Sequence, residues 1–264
     1  MTDHGVTPGA QSEIVVRRLR WDLPDDLTDV FAGDLREACD RVALSLALPY
    51  LEPYLIRTLR SVADRLPPPL AADVASFCAQ EAHHHRNHAR ANAVIRRLLG
   101  PATGDRLAAI EAELDADYRR FSETRSDRWN VAYAEGFEAM TCAMAITSAE
   151  QATAPPAGVW HQLWAWHLAE EIEHRTVAFD VYEQVGSGWA YRAAVSARAQ
   201  LHIRRHLARF HRVLCEHHGM AAERPYMPRL VRRSWRRQLA TYRPGYDPAT
   251  IEPPPVVDAI LATL

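Results

Sequence analysis

Lysine is absent from this 264-residue chain, and glycine and cysteine are scarce. All 31 basic residues are therefore arginine, which excludes lysine Schiff-base chemistry and the phosphate-binding lysine of a P-loop. Only 11 glycines accompany abundant Ala, Leu, Arg and Glu, a composition that favours helices over sheets. The four cysteines (Cys39, Cys78, Cys142 and Cys215) show no Cys-x-x-Cys spacing. We therefore expect buried thiols in a reducing compartment, and neither disulfides nor zinc ligands.

Long apolar runs and a strong net charge are also missing. No stretch approaches the roughly 18 apolar residues of a membrane span, and the N-terminus, with Asp3 and Glu13, has no apolar core of a signal peptide. The net charge of -2 argues against a general nucleic-acid surface. We interpret the Arg- and His-rich segment 198–218 as a solvated face or a homodimer contact. The prediction is a cytoplasmic protein that binds neither membranes nor nucleic acid.

Proline, glycine and helical periodicity divide the chain into a row of helices. Pro49 and Pro53 predict the first turn of a new helix, because proline is tolerated there and rarely later. The predicted helices cover 34–46, 49–65, 70–99, 104–123, 126–151, 159–185, 189–218 and 229–241. We predict an irregular arm at 1–33, a helical bundle with a C-terminal extension helix at 34–220, and a short helix with a Pro-rich tail at 221–264.

Connection lengths predict how these helices pack. The links at Pro67-Pro68-Pro69 and Pro155-Pro156 are short, so the helices on either side of each run antiparallel. Segment 104–123 spans roughly 30 Å as a helix, which is one bundle length, so it returns the chain to the starting end. The fold class predicted is all-α: a ferritin-like four-helix bundle with one long crossover helix and extra C-terminal helices.

Two of the predicted helices carry the same pattern, Glu-x-x-His, at Glu81–His84 and at Glu171–His174. Positions i and i+3 share a helix face, so each pair points a carboxylate and an imidazole at one ion. Two such helices, each faced by a glutamate from another helix, form the di-iron or di-manganese site of ferritin-like bundles. The predicted metal ligands are Glu52, Glu81, His84, Glu138, Glu171 and His174. Four carboxylates neutralise two divalent ions, and we expect two iron ions, with manganese as the alternative.

Some assignments stay open at this level. Glu135 lies one turn from Glu138 and can face inward as well, and Glu170 can replace Glu171 as a ligand. We prefer Glu170 and Gln80 as hydrogen-bond partners of the metal-bound histidines. Solvated surface charges are the ordinary alternative for any of these glutamates.

Two further histidines share the faces of the motifs. His88 lies four residues after His84, and His167 lies four before Glu171. Because the two helices are predicted to be antiparallel, both should reach the same end of the site. We assign His88 and His167 as catalytic: an extra ligand, a proton shuttle or the floor of a substrate pocket.

The chain resembles a bacterial family labelled predicted metal-dependent hydrolases. The resemblance rests on the segment 47–52, on Phe77-Cys78-Ala79-Gln80-Glu81 followed by His84, His88 and Asn92, and on the segment from His167 through Glu170, Glu171 and His174 to Tyr182. It covers roughly Ser45 to Tyr182. Membership would imply a ferritin-like fold with a metal site.

Three functions compete for such a site. The first is a non-haem di-iron enzyme that activates oxygen to oxidise or oxygenate a small organic substrate, with an electron-donor protein as partner. The second is a metal-dependent hydrolase that uses a metal-activated water. The third is a metal-binding protein without turnover. A nucleophilic triad is disfavoured, because no Gly-x-Ser-x-Gly turn is present.

Overall fold

The computed structural model describes residues 14–186, 188–221 and 225–263. These residues form α-helices, two short 3-10 helices and connecting loops, with no strand among them. The α-helices are α1 (Leu35–Arg60), α2 (Pro68–Leu98), α3 (Pro101–Thr124), α4 (Asp127–Gln151), α5 (Val159–Glu173), α6 (Val177–Val185), α7 (Trp189–His217), α8 (Arg229–Arg233), α9 (Trp235–Thr241) and α10 (Val256–Leu261). The expectation about a signal peptide and the first part of the predicted arm fall on residues 1–13, outside the described residues.

Four helical elements hold the motif residues: α1, α2, α4 and the pair α5–α6. The relative direction of α1 and α2 follows from contacts at two successive levels. Ser45 of α1 bonds Asn92 of α2, whereas Pro49 lies against His85, so α1 and α2 run antiparallel. Helix α3 packs on α1 and α7 and is the long crossover, and the chain beyond α6 adds the extra helices. The predicted fold class is therefore confirmed.

Helix α4 is the most enclosed element of the bundle. Residues 130–147 are all buried, which is expected of a helix that is apolar on every side and packed all round. On its α7 side, a Cβ added to Gly136 would lie 2.4 Å from the Cα of Ser196, so only glycine permits this close approach. No described helix is long and apolar enough to cross a bilayer.

The prediction of a helix break before Pro49 is wrong. Helix α1 runs through both Pro49 and Pro53 without interruption. A proline inside a helix leaves the carbonyl four residues earlier without its usual N–H partner. Both orphaned carbonyls find partners on α2: Asn92 Nδ2 donates to the Ser45 carbonyl at 2.7 Å, and His85 Nδ1 lies 3.0 Å from the Pro49 carbonyl. Tertiary hydrogen bonds thus replace the helical ones.

The predicted helix 159–185 is also interrupted. Helix α5 ends at Glu173, His174 is its C-cap residue, and α6 begins at Val177. No proline or glycine marks this point in the sequence, so no local signal predicted it. Similarly, 229–241 forms two short helices that meet at Ser234, and the Pro-rich tail contains α10.

Candidate metal centre

The two Glu-x-x-His motifs face each other in the middle of the bundle. Helix α1 contributes Glu52, α2 contributes Glu81 and His84, α4 contributes Glu138, and α5 with its C-cap contributes His167, Glu171 and His174. None of these seven side chains belongs to a residue more than 3 % exposed. The six residues predicted as ligands, together with His167, therefore share one buried region and do not lie on a solvated surface.

These side chains form two groups, each with its possible ligand atoms within 4.8 Å of one another. One group is Glu52, His84 and His167, and the other is Glu81, Glu171 and His174. Glu138 adjoins the second group, with Oε2 3.3 Å from His174 Nε2. The arrangement offers two adjacent positions for metal ions.

Two glutamates lie between the groups. Glu81 Oε1 is 3.2 Å from His84 Nδ1 and 3.5 Å from His174 Nε2. Glu171 places Oε1 3.2 Å from His167 Nε2 and Oε2 3.8 Å from His174 Nε2. Each carboxylate can thus reach both groups, which suits a bridge between two ions.

The outer nitrogen of each motif histidine has a protein partner. Glu170 Oε2 lies 3.0 Å from His84 Nε2, and Gln80 Oε1 lies 2.9 Å from His174 Nδ1. Such partners orient a metal-bound imidazole and leave its other nitrogen for the ion. Glu170 thus contacts the outer nitrogen of His84, whereas the carboxylate of Glu171 lies between His167 and His174.

Arg17, in the segment before α1, was missed by the sequence analysis. Its guanidinium donates to Glu170 at 3.1 Å and to both carboxylate oxygens of Glu173. Glu173 in turn accepts from Gln80. One arginine therefore supports the partners of both motif histidines. No motif marks it, because the contact joins residues 153 positions apart.

Glu135 and Glu138 have different surroundings, although they lie one turn apart on α4. Glu135 is buried, but its carboxylate accepts from Arg192 at 2.8 Å and from Ser196 at 2.9 Å, both on α7. Glu138 faces His174 instead. The Thr141 hydroxyl, expected near the site, donates to backbone carbonyls of its own helix.

His88 lies beside His167, with ring centroids 4.8 Å apart, and a hydrogen-bond chain sets its tautomer. Asn92 Nδ2 donates to the Ser45 carbonyl, so Asn92 Oδ1 must be the acceptor of the Ser45 hydroxyl proton. The Ser45 oxygen, 2.8 Å from His88 Nδ1, can then only accept from it. His88 therefore carries its proton on Nδ1 and leaves Nε2, which has no partner among the described residues, as a bare base.

Burial and neighbouring charge separate the pKa values in the centre. Burial, followed by the charge of Glu171, raises the pKa of Glu138 to about 8. Burial alone would lower the pKa of His84, but hydrogen bonds to Glu170 and Glu81 raise it to about 10. The pKa values of His88 and His167 are lowered by burial and by neighbouring imidazoles. Without an ion, His84 is thus charged and His88 neutral.

The residues present fit a metal centre. The two groups and Glu138 comprise seven residues, and nine of their buried carboxylate oxygens and imidazole nitrogens have no hydrogen-bond partner. Buried carboxylate oxygens left unpaired are costly, and native proteins rarely keep them without an ion or water. Carboxylate oxygen and imidazole nitrogen together are the ligands of iron, manganese and zinc. The donor set therefore matches metal ions of this class.

A third group of possible ligands lies elsewhere, at Asp117, His202 and His206. The His-x-x-x-His spacing on α7 was the signal available for it. Here Asp117 Oδ2 accepts from both imidazoles, at 3.0 and 3.2 Å, and His202 Nδ1 bonds Tyr133. Its carboxylate is already satisfied by protein donors, unlike those of the central groups.

Fold and site together define a helical-bundle protein with a buried carboxylate–histidine cluster that could hold metal ions. Comparison with protein families matches residues 15–252 to the family described as predicted metal-dependent hydrolase. The chain belongs to this family, and the resemblance inferred from its motifs is confirmed. No curated protein and no solved structure matches the chain.

Proposed function

We propose that this protein is a non-haem di-iron enzyme that activates oxygen to oxidise or oxygenate a small organic substrate. The observation that carries the proposal is the buried donor set: four carboxylates and three imidazoles with nine unpaired atoms, enclosed by helices on every side. Glu52, His84 and His167 would hold one ion, and Glu81, Glu171 and His174 the other, with Glu138 beside the second. Iron bound there would supply one-electron chemistry and positions at which oxygen binds.

The protein side chains would exclude water and hold protons. The Trp166 ring packs against the His84 ring, with centroids 4.8 Å apart. The Phe77 ring packs against the His174 ring, with centroids 4.7 Å apart. Apolar aromatic walls of this kind keep solvent from reactive species. The bare Nε2 of His88 can accept a proton beside His167, and Ser45 and Asn92 maintain that tautomer. Oxygenation also consumes electrons from outside the site, which is the role we propose for an electron-donor protein.

Hydrolysis is the second candidate, because the family is described by that activity. In that case His88 would be the general base that takes a proton from the attacking water. The aromatic rings of Trp166 and Phe77 against the motif histidines favour the oxidative proposal, because apolar walls keep solvent from reactive species.

Oxygen consumption distinguishes the two. The chain, purified without oxygen and loaded with ferrous iron, should consume oxygen on mixing with aerated buffer and develop near-ultraviolet absorption. The matched controls are the zinc-loaded chain and an iron-treated His84→Ala, His174→Ala variant, which should do neither. If the iron-loaded chain consumes oxygen no faster than the variant, the oxidative proposal fails. Cleavage of a nitrophenyl ester panel by the zinc-loaded chain would then favour hydrolysis.

A further inference from the structure

A cavity of about 320 Å³ extends along α5, from His161 to Ile172. This volume is within the range of about 300–1,000 Å³ typical of small-molecule sites. Its walls are mainly apolar and come from α1, α4, α5 and the C-terminal helices; they include Leu44, Met144, Ala145, Leu168, Ile172 and Ile260. The cavity contains none of the candidate metal ligands.

A single layer of rings separates this cavity from the metal centre. Trp164 lines the cavity, and its ring centroid is 5.0 Å from that of His88 and 6.2 Å from that of His167. The His167 ring is 4.3 Å from that of His84. A molecule in the cavity would therefore contact Trp164, whose ring lies against His88 and His167 of the candidate metal centre.

The charged residues that line the cavity differ in their hydrogen bonding. Glu37 accepts two hydrogen bonds from Arg233, at 3.1 and 2.8 Å, and Asp40 accepts from Arg229. Arg41 has no hydrogen bond to any described residue; its nearest acid oxygen, on Glu37, is 3.9 Å away. Its side chain is 30 % exposed, and burial is the largest influence on its pKa, which it lowers. The cavity thus offers one guanidinium that makes a long ion pair with Glu37 and no hydrogen bond to a described residue.

We infer that this cavity binds the substrate of the reaction proposed above, and that the substrate is an organic carboxylate with an extended apolar body. The carboxylate would accept hydrogen bonds from Arg41, whose planar guanidinium suits that group. The apolar body would lie along the walls toward Trp164. Arg41 and Glu52 are 11 residues apart on α1, so roughly 16 Å separates them along the helix axis. That distance suits a medium-length acyl chain or a comparable elongated acid.

Calorimetric titration of the purified full-length chain with octanoate, 1-octanol and octylammonium tests this inference. Octanoate should bind most tightly. Arg41→Gln should weaken octanoate binding by roughly 10- to 100-fold, as expected for a lost hydrogen bond to a charged group, and leave octanol binding nearly unchanged. Arg232→Gln is the matched control, because Arg232 is exposed and does not line the cavity. It should leave the affinities for all three probes at their wild-type values.

Ala165→Phe tests the location of the site separately. Ala165 lines the cavity and is only half-buried, so a phenyl ring can project into the empty volume without displacing the core. It should abolish binding of octanoate and octanol together. Equal affinity for octanoate and octanol, or unchanged octanoate binding by either cavity variant, overturns the inference. Because binding requires neither turnover nor oxygen, oxygen consumption without octanoate binding would leave the proposed function standing and refute only this substrate class.

Discussion

The two prolines inside α1 lead to a stability prediction that can be worked through quantitatively. Pro49 cannot donate to the Ser45 carbonyl, and Asn92 Nδ2 does so instead at 2.7 Å. Asn92→Leu should therefore leave a buried carbonyl unsatisfied, at a cost of about 1–3 kcal/mol in the free energy of unfolding. Pro49→Ala restores the helical N–H donor. The cost of Asn92→Leu should consequently fall by about 1–2 kcal/mol in the Pro49→Ala background.

Urea unfolding followed by circular dichroism at 222 nm, with a chelator present throughout, measures all four members of this cycle. Asn87→Leu supplies the control, because Asn87 lies on the same helix but donates to the carbonyls of Leu19 and His83. Its effect should be the same with Pro49 or Ala at position 49. If the effects of Asn92→Leu and Pro49→Ala add within about 0.5 kcal/mol, the carbonyl argument is wrong.

Three further predictions concern the metal centre. His84→Ala or His174→Ala should remove most bound metal, measured by elemental analysis; full metal content in both variants would refute the ligand assignment. Glu170→Gln should lower metal affinity by about 10- to 100-fold, because Glu170 orients His84, whereas Glu111→Gln, a buried acid bonded to Arg96, should not. Metal affinity should rise with pH. The pKa of Glu138 is raised to about 8 and that of His84 to about 10, so at lower pH both groups hold protons that must leave before an ion binds. Chelator competition with manganese at pH 6, 7 and 8, with proton release followed by an indicator dye, measures this; pH-independent affinity would contradict it.

Local sequence was sufficient for much of the helical architecture. The apolar spacing of segment 104–123 predicted the crossover helix, and its residues Leu107, Ile110, Leu114, Tyr118 and Phe121 are buried in α3. The Pro-rich links predicted antiparallel neighbours, and the doubled Glu-x-x-His predicted which helix faces meet. These features depend on helical periodicity and connection length, which act within a few turns of the chain.

Local sequence failed where a distant residue changes the local preference. Prolines ordinarily end a helix, but α1 continues because α2 supplies donors to the freed carbonyls. The end of α5 at Glu173 has no local signal and coincides with the contacts of His174 to Gln80 and Glu138.

Composition and spacing alone determined that this protein is all-helical and which glutamates and histidines share helix faces. Only the tertiary structure decided that Glu138 faces the centre while Glu135 binds Arg192, and that Arg17 supports the outer partners of the motif histidines. It also revealed the cavity beside Trp164 and the Arg41 guanidinium, which makes no hydrogen bond to a described residue. Helical periodicity predicts which side of a helix a residue occupies. The partner that the residue contacts there depends on the packing of segments that are far apart in the chain.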